Sequence, residues 1–156
     1  MANTTRIDAA VDSLVAMFTT GLAPVRVSDG PLLGDEALTE WVEVATSDLE
    51  RYGVAGEEGV TTQIDWAALG ARARDEHFAV HCSVICWTGD NDLSTSRSAA
   101  VGLLAQCEAL VVADPGLAGA VLYSRVGAAQ YRPGLNDQGS WVLMPFAVIC
   151  RARLHP

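Results

Sequence analysis

His77-Phe78-Ala79-Val80-His81-Cys82-Ser83-Val84-Ile85-Cys86-Trp87 places Phe78, Val80, Cys82, Val84 and Cys86 at alternate positions. Successive side chains of an extended chain point to opposite faces, so this run predicts a long strand, the central one, with one apolar face. Gly89-Asp90-Asn91-Asp92 breaks the alternation, and the polar residues 92–96 offer side chains suited to capping a helix start. Beyond them Ala100, Leu103, Leu104, Cys107, Leu110 and Val111 recur at three-and-four spacing, which predicts a helix ending at Asp114-Pro115-Gly116.

Working towards the N-terminus, the segment 60–66 alternates, with Val60, Thr62, Ile64 and Trp66 on one side, and predicts another strand. Residues 67–76 are polar and arginine-bearing and suit a short helix or a long loop, while 53–59 reads as a loop. A further strand is expected over 41–46. Ile7, Ala10, Val11, Leu14, Val15 and Phe18 mark one face of a first helix ending near Gly21, with extended chain after Pro24. Towards the C-terminus two strands are expected, over 119–131 and 140–154, joined by 132–139 as a long hairpin with an exposed tip. Val142, Met144, Phe146, Val148, Cys150 and Ala152 form the apolar face of the last strand. Strands in runs, not alternating regularly with helices, indicate an α+β fold: a mostly antiparallel sheet packed by two main helices. A chain of 156 residues suits one domain spanning 1–156.

The formal net charge is -9, and every Lys or Arg position is an arginine. The arginines are scattered from Arg6 to Arg153, a distribution that argues against a general nucleic-acid binder. Half the residues are hydrophobic, yet no uninterrupted apolar run approaches the roughly 18 residues of a membrane span. The excess points to a core plus a partner surface. The N-terminal stretch carries Asp8 and Asp12 within its apolar pattern, unlike a secretory signal, so the cysteines are expected as reduced thiols of a cytosolic protein.

Motifs for chemistry are sparse. Cys82 and Cys86, like His77 and His81, lie four apart on a strand, about 13 Å, too far to chelate one ion as a neighbouring pair. All four cysteines fall on apolar faces, where a free thiol behaves as a small hydrophobe. Asp90-Asn91-Asp92 has the composition of an acidic cation motif, but a turn into a helix cap uses the same residues, and the longer ligand series of a calcium site is missing. There is no serine elbow, P-loop or dinucleotide fingerprint, and Ser83 lies opposite the cysteines. No catalytic residue, cofactor or metal is expected. Candidate contacts are the mixed-charge patch with Arg72, Arg74, Asp75 and Glu76, and the hairpin with Tyr131, Arg132, Asn136 and Asp137.

The N-terminal helix, the strand 77–87 with its serine- and alanine-rich following helix, the phrase Ala113-Asp114-Pro115-Gly116-Leu117-Ala118-Gly119-Ala120-Val121 and the aromatic-apolar last strand together resemble tail terminator proteins of long-tailed bacteriophages. The residues that carry the likeness between helix and next strand are Asp114, Pro115, Leu117 and Gly119. The resemblance implies a non-enzymatic virion protein, assembled in the host cytoplasm and placed at the neck end of the tail. It implies a homohexameric ring that closes the tail tube and offers the head-tail joining surface. Its partners would be itself, the tail tube protein and a connector or neck protein, with no membrane, and with DNA only passing through the ring lumen. The nearest alternative is a head-completion or neck adaptor. An alternative of another class is a small cytosolic enzyme or ligand-binding domain using His77, His81 or Asp90.

Overall fold

The structure is a computed structural model that describes residues 4–32, 38–46, 60–66 and 73–155. In chain order its elements are α1 (Ile7–Gly21), β1 (Arg26–Asp29), β2 (Glu40–Val44), β3 (Val60–Trp66), β4 (Arg74–Thr88), α2 (Leu93–Ala113), β5 (Tyr123–Ala129), β6 (Arg132–Asn136) and β7 (Gly139–Leu154). The strands form one sheet of order β1-β2-β4-β7-β5, with β3 also paired to β4 and β6 to β7. All pairs are antiparallel except β1 with β2. The expected α+β class is therefore the one observed.

Strands β4 and β7 are the spine, paired from Arg74↔Leu154 to Thr88↔Ser140. Each is long enough to carry two shorter strands on its other edge. β4 holds β3 beside residues 74–80 and β2 beside 82–86. β7 holds β6 beside 139–143 and β5 beside 146–151.

Alternation then sorts the side chains. Phe78, Val80, Cys82, Val84 and Cys86 of β4, with Val142, Met144, Phe146, Val148, Cys150 and Ala152 of β7, enter one core beneath the helices. Into that core α1 sends Ala10, Val11, Leu14 and Phe18, and α2 sends Ala100, Leu103, Cys107 and Val111. α2 is long and apolar enough to cross a membrane; here its buried stripe covers β4 and β7. On the opposite face of the sheet Ile85 and Leu143 form a smaller buried cluster under Trp41 and Trp141.

Three readings of the sequence are corrected. Within 67–76, residues 74–76 are neither loop nor helix but the start of β4; 67–72 lie outside the described residues, as does the 53–59 loop. Asp75 and Glu76 are buried, and their polarity is matched chiefly by partners 70 to 78 residues away. Glu76 accepts hydrogen bonds from the Arg6 backbone N–H at 2.8 Å and the Thr5 hydroxyl at 2.6 Å. A carboxylate from β4 thus stands at the N-terminus of α1, whose own N-cap residue makes no side-chain bond.

The expected strand 119–131 begins only at Tyr123. Before it, Leu117, Ala118 and Gly119 all have positive φ, and the Asp114 carboxylate accepts from the Ala118 N–H at 2.8 Å, which closes the end of α2 in a left-handed turn. Finally, 132–139 is no long loop. It contains β6 and a tight turn at Asp137-Gln138. Pro133 and Gly134 look like loop residues, yet an edge strand tolerates proline. A Cβ on Gly134 would lie 2.0 Å from the Trp141 indole.

Two buried serines make opposite demands. Thr88, Ser96 and Ser140 hydroxyls lie 2.7 to 2.9 Å from one another, each able to donate once around the ring, and they tie the end of β4, the start of α2 and the start of β7. Ser83, also fully buried, has a hydroxyl without a hydrogen-bond partner among the described residues. Ser140→Val should lower stability by about 1 to 3 kcal/mol, because it breaks two of the three hydroxyl bonds and leaves Thr88 and Ser96 bonded only to each other, whereas Ser83→Ala should leave stability unchanged or raise it. Urea unfolding of both variants measures the pair; a Ser83→Ala loss equal to that of Ser140→Val would contradict this account.

Candidate assembly surfaces

The hairpin residues do not form one tip. Asn136 and Asp137 are exposed at the β6–β7 turn, where the Asn136 side chain accepts from the Gln138 N–H at 2.9 Å. Tyr131 and Arg132 sit at the other end of β6, some five residues and roughly 17 Å away along an extended chain. Arg132 is half-buried and bonded to the Gln130 side chain. It overlooks a shallow cleft of about 250 Å³ on the sheet face away from the helices, lined also by Thr46, His81, Gln130 and Pro145.

His77 does not line this cleft, and Asp90 lies beyond the far end of β4, so His77, His81 and Asp90 are not brought together. Asp90 and Asp92 instead organise the start of α2. Asp92 accepts from the Ser94 and Thr95 N–H groups, and the Thr95 hydroxyl is the chief cause that lowers its pKa. The four cysteines are buried free thiols on the helix side of the sheet and on α2. Burial pushes Cys86, Cys107 and Cys150 up to about 12 and raises Cys82 as well, so none is a ready nucleophile near neutral pH.

Arg72 lies outside the described residues, and Arg74 is half-buried at the start of β4, opposite Trp66 and Leu154. The patch expected there as a solvated contact is partly consumed within the chain. Asp75 receives Arg153 at 2.8 Å and Arg151 at 2.5 Å, and its side chain is only 5% exposed. Sequence reading missed this triad; the signal was an acid at a strand position across from two alternate arginines, visible only once β4 and β7 are in register.

The most distinctive surface is apolar. Of the seven large hydrophobic residues exposed among the described ones, only Ile64 lies away from the β5–β6 edge and the flank of α2 beside it. Leu122 precedes β5 and Tyr123 opens it, while Tyr131 precedes β6 and Leu135 lies within it. Val101 and Val112 stand on the side of α2 turned away from Leu110, the residue that α2 lays against Gly21 of α1. These residues are strung along one side of the molecule, from Tyr123 opposite Arg151 to Leu135 opposite Ser140.

A separate apolar groove of about 560 Å³ lies between the second half of α1 and the last turn of α2. Ala16 and Met17 of α1 and Leu110 and Ala113 of α2 line it, with Asp12 and Asp114 also at its walls. No family profile and no curated protein matches the chain.

The Asp75 triad has a defined pH signature. The Arg153 and Arg151 guanidiniums hold its carboxyl well below the usual carboxylate range, so its folded pKa is depressed. Its stabilising effect is complete above about pH 4, the unfolded value, and is lost as pH falls towards the folded value. Acid unfolding monitored by circular dichroism should therefore be less steep for Asp75→Asn than for the natural chain below that pH. Identical acid profiles would remove the triad from the account.

Proposed function

We propose that this chain is a structural assembly subunit of the tail-terminator kind, one that builds a ring closing a phage tail tube and presents the surface for head-tail joining. The observation that carries this reading is the gathering of exposed apolar side chains along one open sheet edge and its neighbouring helix flank. An apolar edge of this kind is an aggregation liability unless a partner covers it. The left-handed turn over Asp114 to Gly119 adds support, since it gives a physical reason for the residues that carry the sequence resemblance. A neck adaptor shares the same physical demands, and tail morphology separates the two.

If the reading holds, phage lacking the gene should make tails of abnormal, unregulated length that fail to join heads, and supplying the protein in trans should restore normal length. Electron microscopy of lysates measures this. Tails of normal length that lack heads would point to the neck adaptor, and normal particles would remove the assembly role.

A further inference from the structure

Leu135, on the exposed flank, and the helix groove lie at opposite ends of α2. Leu135 pairs with Ser140, and the Ser96 hydroxyl in the first turn of α2 bonds to that same residue. The groove is lined by Leu110 and Ala113 in the last turn. α2 has 21 residues, so its two ends are about 30 Å apart. No chain can fill its own groove with its own Leu135.

We propose that Leu135 of one copy seats in the α1–α2 groove of a second copy, as a head-to-tail contact repeated around the assembly. Charge supports that occupant in particular. Arg97, which follows the Ser96 that bonds the pairing partner of Leu135, is exposed, and the groove walls carry Asp12 and Asp114. A cation beside an apolar knob faces carboxylates beside an apolar socket. The two patches differ and do not overlap, so the contact is heterologous, and repeated contacts of that type generate rings when the rotation closes. The inference deepens the ring reading and rests on it for closure alone; the pairwise contact stands on the two surfaces.

Leu135→Glu disables the knob and Ala16→Trp fills the groove, and both are surface positions outside the core. Each variant, checked for unchanged thermal unfolding, should lose self-association in analytical ultracentrifugation. A mixture of the two should form a dimer and nothing larger, since one intact knob and one intact groove remain. Arg97→Asp and Asp12→Arg should each weaken association about tenfold or more, and the chain carrying both should recover it. If the natural chain assembles and the variants assemble equally well, the contact is wrong and the ring reading survives. If the variants self-associate normally but Leu135→Glu no longer caps tail tubes, the flank faces the tube and the copy-to-copy contact is overturned. A natural chain that stays monomeric at its highest soluble concentration overturns both.

Discussion

The pairing of β4 with β7 is the constraint on which the rest depends. Side chains alternate along both strands, so a slip of one residue would exchange the apolar face for the face bearing Arg151 and Arg153. Polar links fasten each end of the pair. Asp75 is held by two arginines of β7 at one end, and the hydroxyls of Thr88 and Ser140 meet that of Ser96 at the other. Between these ends the register delivers Phe78, Val84 and Phe146 to the same core. The remaining strands borrow their places from the spine: β2 and β3 share one edge of β4, and β5 and β6 share one edge of β7.

Both helices serve this sheet and are fastened to it by polar groups from distant parts of the chain. Glu76 of β4 meets the start of α1, and Ser140 of β7 meets the start of α2. Buried polar groups cost stability unless paired, so these links fix where each helix begins as well as how strongly it is held. The ends of the helices are treated differently. Gly21 lets Leu110 approach, because a Cβ there would lie 2.5 Å from the leucine side chain. The apolar groove opens beside that contact.

The long-period signals were legible in the sequence. α1, α2, the greater part of β4 and the face of β7 all follow from apolar spacing, because each has one buried side and a length that makes the period clear; β3 follows from alternation alone, although Thr62 to Asp65 are exposed. The failures share a cause in tertiary pairing. Asp75 and Glu76 disguised the first residues of β4 as surface, since their partners are far away in sequence. Pro133 and Gly134 disguised β6 as loop, although the proline sits on a sheet edge and the glycine makes room for Trp141. Local reading likewise merged Tyr131 and Arg132 with Asn136 and Asp137 into one contact, which the strand between them separates. The apolar flank was invisible to periodicity, because Val101 and Val112 belong to α2, Leu122 to the segment before β5 and Leu135 to β6.

Sheet edges invite association, and natural proteins commonly blunt them with charge, proline or a covering element. Here β6 carries Pro133 and the flank nevertheless exposes Tyr131 and Leu135. An edge of this kind therefore requires that the chain form a closed, defined assembly. Native mass spectrometry of the purified protein over a range of concentrations tests this most directly. A single discrete oligomer, accompanied by monomer alone on dilution, is the predicted result; an open ladder of ever larger species, or monomer throughout, would contradict it.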